Sequence, residues 1–182
     1  MDILALIGQT LEDYWQRMEQ ALDGLTPAEL AWRPDAESNS IAFIVWHVVR
    51  VEDRWIQVFA RDVQDVWDRD GWHEKIGTFD DSLGIGFGLS VEQLGKFPAI
   101  AKENLDGYRH AVQNETQAYL KGLNVDALSF VPGRTLRPES SASLERFRDW
   151  SIGRMFRQVI AELNQHLGQV SYIRGMQRGL DK

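Results

Sequence analysis

A chain of 182 residues with 43% apolar residues can bury one hydrophobic core but is short for two, so a single domain over residues 1–182 is expected. The formal net charge of −7 argues against a nucleic-acid surface, which needs clustered Lys and Arg to neutralise phosphates. Because the chain has no cysteine, disulfides, thiolate nucleophiles, iron–sulfur clusters and thiolate-bound zinc are excluded, and any metal must be held by nitrogen and oxygen ligands.

The start of the chain and its hydropathy suggest where the protein works. The first ten residues lack the basic segment of a signal peptide, and no apolar stretch approaches the roughly 18 residues of a membrane span. We therefore expect a cytoplasmic protein that contacts neither membrane nor nucleic acid.

Apolar residues recur at helical spacing and predict four long helices, at about residues 2–23, 38–61, 98–122 and 141–175. Helix-start residues mark the last three of these: Ser38 or Ser40, Pro98, and Ser141 or Ser143 with Glu145 in the first turn.

The connections between these helices are uneven in length. A capping box at Thr26 and Glu29 predicts a short helix after the first long one. Residues 62–97 carry six glycines and predict an irregular crossover with a short helix at residues 91–94. Because no alternating run supports a sheet, the pattern predicts an all-α fold, a four-helix bundle with long crossover connections.

Glu162 and His166 stand four residues apart on the last predicted helix and therefore project from one face. His166 falls within the apolar stripe of that helix and Glu162 lies at its edge; the stripe comprises Met155, Val159, Leu163, Val170 and Ile173. A carboxylate turned toward a core needs a partner, and a metal ion is the most economical one. The simpler alternatives are a hydrogen-bonded Glu–His pair, or a Glu satisfied by Arg50 or Arg54 across the bundle.

His47 is the best third ligand among the four histidines. It flanks the apolar stripe of the second predicted helix and can look inward. Taken alone, however, it is better explained as a histidine at the edge of the core that bonds to a carbonyl.

Three further polar residues are candidates for supporting roles. Arg54 lies seven positions after His47, on nearly the same helix face, where it can meet an anionic substrate or form a surface salt bridge. Gln169 is one turn beyond His166 and can orient a ligand. Glu52 is turned away from the face of His47. It can therefore support a ligand through a hydrogen bond or have a purely structural role.

Two segments resemble the DinB/YfiT-like superfamily of metal-dependent enzymes: Ser40-Ile-Ala-Phe-Ile-Val-Trp-His-Val-Val-Arg-Val-Glu and Glu162-Leu-Asn-Gln-His-Leu-Gly-Gln-Val-Ser-Tyr-Ile-Arg-Gly. The resemblance implies a divalent metal, often zinc or nickel, with His47 as first ligand and His166 as last. The middle ligand of the family is usually histidine, and Glu162 stands in its place. The site is then either a two-His, one-carboxylate site or a degenerate one; we favour the first, since glutamate also ligates zinc, nickel, manganese and iron.

The resemblance also implies a function. Members of this superfamily include transferases that add mycothiol or bacillithiol to electrophiles, and a thiol-dependent maleylpyruvate isomerase. We therefore expect metal-dependent transfer of a low-molecular-weight thiol to an electrophilic small molecule, by a homodimer. The alternatives are a hydrolase that uses metal-bound water, and a metal-free helical module for stress response or protein interaction.

Overall fold

The computed structural model describes residues 2–77, 84–133 and 147–179. Helices and no strands occur in these ranges, which confirms the predicted all-α class. The α-helices are α1 (Ile3–Leu22), α2 (Pro27–Ala31), α3 (Ile41–Asp53), α4 (Val66–Arg69), α5 (Trp72–Ile76), α6 (Val91–Gly95), α7 (Lys102–Gly122) and α8 (Ile152–Arg178). A π-helix (Arg54–Ala60) continues α3, and a 3-10 helix (Val125–Ser129) follows α7.

Four long elements form the bundle: α1, α7, α8, and α3 with its π continuation. Each packs against two others, in the order α1, α7, α3, α8 and back to α1. One cluster of buried apolar side chains draws on all four elements. A membrane-crossing helix, which needs about 20 mainly apolar residues, is not among the helices of the described ranges.

The two earliest helix-start predictions are confirmed. Thr26 and Glu29 form a complete capping box on α2. The hydroxyl of Ser40 accepts a hydrogen bond from the backbone N–H of Phe43 at 3.1 Å and caps α3.

The third and fourth long helices begin later than the sequence predicts. Residues 97–101 are not helical, and α7 starts after Ala101 rather than at Pro98. Pro98 lies against Gly77, and Ile100 is buried in the core, so tertiary packing keeps this stretch out of the helix. The predicted caps Ser141 and Ser143 and the first-turn Glu145 lie outside the described residues, whereas Ser151 caps α8.

The crossover between α3 and α7 carries more helix than predicted. The predicted short helix is confirmed as α6, and two further short helices, α4 and α5, precede it. The side chain of Asp65 accepts a hydrogen bond from the N–H of Asp68 and so caps α4. The crossover therefore returns to the bundle at several points.

All thirteen residues of α3 are buried, including the polar ones. The sequence predicted a single inward stripe, but a helix that is buried on every side lies in the middle of the molecule. The stripe residues are buried as expected, and so are Arg50, Glu52 and Asp53. Each of these charged groups must therefore find its partner inside the protein.

Arg50 and Asp53 bind the crossover to α3. The Arg50 guanidinium contacts Asp53 at 3.2 Å and Asp65 at 3.2 Å. The carboxylate of Asp53 also accepts the backbone N–H groups of Val66 and Trp67 at 2.9 and 3.0 Å. The start of the crossover is thus held to the helix by buried, charge-assisted hydrogen bonds.

The burial of Glu52 can be tested through the pH dependence of protein stability. Loss of hydration raises the pKa of its carboxyl from an ordinary 4.5 to about 7, although Trp15 donates to it. The folded protein then binds a proton that the unfolded chain releases, so this group lowers the free energy of unfolding as the pH rises from 4.5 to 7. Glu52→Gln removes this proton. We therefore expect the free energy of unfolding of the variant, relative to the parent, to rise by roughly 3 kcal/mol between pH 4.5 and 7.

The measurement is urea unfolding of parent and variant from pH 4 to 8. Glu103→Gln, on the exposed face of α7, controls for the change in net charge. A stability difference between Glu52→Gln and the parent that stays constant with pH would contradict the assignment.

Candidate metal centre

His47 from α3 and the pair Glu162 and His166 from α8 come together between the two helices. One ligand atom from each lies within 4.8 Å of the others, and the described residues contain no other such group of three or more. His47 is 8% exposed and His166 9%, while the Glu162 side chain is 27% exposed. These residues form a group that could hold a metal ion.

Both imidazoles are oriented by a partner at Nδ1. His47 Nδ1 is hydrogen-bonded to the carbonyl oxygen of Ile85, and because a carbonyl only accepts, this nitrogen carries the proton. His166 Nδ1 lies 2.7 Å from Oε1 of Gln169 and donates to it in the same way. In each neutral ring the lone pair is then on Nε2, the nitrogen needed for ligation.

Glu162 is held as a carboxylate beside these rings. Its Oε2 lies 3.4 Å from His166 Nε2, and its Oε1 accepts from the Gln158 side chain at 2.8 Å. The interaction with His166, assisted by His47 and Gln158, lowers the pKa of Glu162, although partial burial opposes this.

The donor set fits a divalent ion. Two imidazole lone pairs and a carboxylate oxygen are acceptors that lie close together, and a divalent metal ion satisfies such a set. Zinc takes imidazole and carboxylate ligands at about 2.0–2.2 Å, which places donors roughly 3–4 Å apart and requires only small side-chain adjustments here. Nickel, iron and manganese accept the same ligand types.

The group lies in the wall of a cavity of about 1010 Å³. Aromatic rings form much of the lining: Phe43, Trp55, Phe59, Phe87, Phe147 and Trp150. Trp55 and Trp150 stack with their ring centroids 5.1 Å apart. These two tryptophans therefore pack against each other and face the cavity as well.

The residues predicted to assist the ligands lie in different places. Gln169 contacts His166, as described above. Arg54 lines the cavity and is 2% exposed, so its pairing with Asp65 at 3.6 Å is buried, and the expected surface salt bridge is wrong. Glu52 bonds to Trp15 of α1, which favours the structural alternative for this residue.

Sequence reasoning missed two groups that contact the ligands. Gln158 precedes Glu162 by one helical turn, so the same four-residue spacing that paired Glu162 with His166 could have found it. Nothing in the sequence indicated that the carbonyl of Ile85 would contact His47, because every residue carries a carbonyl group. Only the path of the crossover brings this one to His47.

The fold and the site together define the class of protein: an all-α bundle that carries a His–Glu–His group on two facing helices. The sequence profile of the DinB superfamily matches residues 10–170, and the chain belongs to that superfamily. The crystal structure of a conserved protein from Enterococcus faecalis shares the fold, with a TM-score of 0.78, 22% identity and 97% of each chain covered. At this identity the likeness concerns the fold alone. No curated protein matches the chain significantly.

The Gln169 contact predicts an effect on metal affinity. In Gln169→Leu the proton on His166 Nδ1 loses its acceptor, so we expect the dissociation constant for Zn²⁺ to rise about 10- to 100-fold. Gln169→Glu keeps an acceptor at the same place and should stay near the parent. Competition with a chromophoric chelator measures all three proteins, and equal affinities for the Leu variant and the parent would contradict an orienting role.

Proposed function

We propose that this protein is a divalent-metal-dependent enzyme that transfers a low-molecular-weight thiol, of the mycothiol or bacillithiol type, to an electrophilic small molecule. His47, Glu162 and His166 hold the metal, with zinc or nickel preferred and iron or manganese also compatible. The observation that carries the proposal is the position of the three donors in the wall of a cavity large enough for a small-molecule substrate.

The number of ligands supports a catalytic site over a structural one. Structural zinc is usually closed by four protein ligands, whereas catalytic zinc keeps three and leaves a position open. The three donors come from two helices, and all three residues face the cavity. The bound ion would therefore be reachable by a substrate.

The composition supports a thiol as co-substrate. The chain has no cysteine, so a sulfur nucleophile must be brought in. A divalent ion, when bound, lowers the pKa of a thiol and so supplies thiolate at neutral pH. In the overall reaction the thiol loses its proton and the sulfur forms a bond to carbon, while either a leaving group departs with its electron pair or a double bond takes up the pair and a proton.

The cavity also supports a substrate with both an apolar and an anionic part. Trp55 and Trp150 offer flat apolar surface, which suits a conjugated or aromatic electrophile. Arg54 lines the same cavity and brings a guanidinium that binds carboxylates well. We assign Arg54 to the anionic group of the substrate and Gln169 to the orientation of His166.

Three other expectations stay predictions. They are assembly as a homodimer, a cytoplasmic location, and a single domain over the whole chain.

Metal content tests the ligand set. We expect protein purified without chelators to carry one equivalent of divalent metal, and His166→Ala and His47→Ala to carry almost none. Glu162→His, which introduces the usual ligand of the family, should keep the metal, whereas Glu162→Ala should lose most of it. Elemental analysis measures the content, and near-zero metal in the parent would remove the proposal.

Activity tests the reaction. Metal-loaded protein incubated with a thiol and a model electrophile should form the conjugate faster than the buffer alone, and His47→Ala should abolish the acceleration. Anionic electrophiles should react with a lower KM than neutral analogues. Hydrolysis of an ester or amide panel without thiol conjugation would instead identify a hydrolase. If His47→Ala kept whichever activity the parent shows, the metal-dependent mechanism would be wrong for both reactions.

A further inference from the structure

We propose that the crossover segment Gly84–Gly86, here called the strap, is a positioning element that fixes the tautomer and ring orientation of His47. The strap holds the proton on Nδ1 and so keeps the Nε2 lone pair available for a cation. The part of the proposal that concerns metal affinity rests on the proposed function; the part that concerns the tautomer does not.

Three consecutive residues of the strap contact one face of α3. The carbonyl of Gly84 accepts from Nε of Arg50 at 2.7 Å. The carbonyl of Ile85 accepts from Nδ1 of His47. Gly86 lies against the rings of Phe43, one turn before His47, and of Trp46, one turn before Arg50.

These α3 positions share a face because residues three, four and seven apart are neighbours on a helix. The strap therefore runs along α3 in the opposite direction to the helix, and each of its residues has a defined partner. This regular match distinguishes the Ile85 contact from an isolated hydrogen bond of a histidine to a nearby loop.

The strap is anchored at one end by a buried charge. Arg50 is 3% exposed, and its guanidinium is fixed by Asp53 and Asp65 at 3.2 Å each. The Nε group that remains points at the Gly84 carbonyl. Because the buried network sets the position of Arg50, it also sets the position of the carbonyl one residue further on.

The other end depends on Gly86. Its φ of +78° belongs to the left-handed region that glycine adopts readily. A Cβ atom at this position would lie 2.8 Å from ring atoms of both Phe43 and Trp46, which is closer than real Cβ contacts. Any side chain at Gly86 must therefore lift the strap from α3 or displace two core rings.

The consequence for His47 follows from tautomer chemistry. A neutral imidazole has one protonated nitrogen, and a ring protonated at Nε2 cannot ligate through that atom. Without the Ile85 carbonyl the Nδ1-protonated tautomer loses a hydrogen bond that the other tautomer cannot make, so its population falls. The apparent affinity for a ligand falls in proportion to the fraction of protein in the competent state.

Gly86→Ala and Gly88→Ala form a matched pair for the test. Both glycines have left-handed φ angles, +78° and +75°, so the local backbone cost of alanine is similar. A Cβ at Gly88 has no neighbour within 4 Å, however, so only Gly86→Ala pushes against α3. Differences between the two variants therefore report the strap contact rather than backbone strain.

The first readout is the tautomer of His47 in metal-free protein, from the ¹⁵N chemical shifts of its ring. We expect one tautomer with the proton on Nδ1 in the parent and in Gly88→Ala, and a mixture in Gly86→Ala. The second readout is Zn²⁺ affinity by chelator competition, where we expect Gly86→Ala to bind about 10-fold more weakly than Gly88→Ala, the loss that a competent fraction of about one tenth produces.

The outcomes separate the two proposals. A parent protein whose His47 carries its proton on Nε2 overturns the inference, and this holds even if Gly86→Ala does not fold. Equal tautomers and equal affinities in the two folded variants also overturn it. A tautomer change in Gly86→Ala with no metal bound by any protein upholds the strap and removes the proposed function.

Discussion

The burial of α3 on every side is the constraint on which the rest of the structure depends. Two bundle helices cover α3 on one side, and α2 and the crossover cover it on the other. Its polar side chains are therefore shielded from water, and each one needs an internal partner. Arg50 and Asp53 take theirs from the crossover, through the Gly84 carbonyl, Asp65 and the N–H groups that open α4. The crossover is long, but these bonds define its path, because a shift along α3 would leave buried charges unsatisfied. These bonds thereby give the loop one position beside the candidate metal centre.

This arrangement explains why the candidate centre depends on three elements, two helices and the crossover. The helix α8 supplies a rigid pair, since Glu162 and His166 are fixed in spacing by the helix itself. The helix α3 supplies His47 from a fully buried backbone. The crossover supplies no ligand but does supply the group that orients His47. Rigid elements therefore hold the donors, and the Ile85 carbonyl sets the direction in which one of them points. The carbonyl bond expected for a lone structural histidine is present, and it prepares Nε2 for a cation rather than competing with one.

Periodicity carried most of what could be predicted. The four long helices and the pairing of Glu162 with His166 follow from helical spacing together with apolar stripes, which report directly on side chains. Spacing showed only that His47 can look inward, and the family resemblance was needed to join it to that pair. The late start of α7 did not follow, because proline at 98 permits a helix to begin but cannot compete with the burial of Ile100. The complete burial of α3 could not be predicted either. Arg50 and Asp53 are charged and so indicate a solvent-facing side of the helix, and their buried partners at residues 65–67 are known only from the structure. Contacts made by backbone carbonyls leave no trace in residue type at all.

Glu162 changes the electrostatics of the site relative to a centre of three histidines. Imidazoles are neutral ligands, so a divalent ion held by three of them keeps a charge of +2, whereas the carboxylate reduces it to +1. Aromatic and aliphatic side chains form much of the cavity wall, and an uncompensated charge beside apolar surface is costly. One incoming anion would then make such a centre neutral. If the proposed ion binds here, a co-substrate with a single negative charge at its reacting atom would balance the remaining charge, and the thiolate of the proposed reaction has this charge.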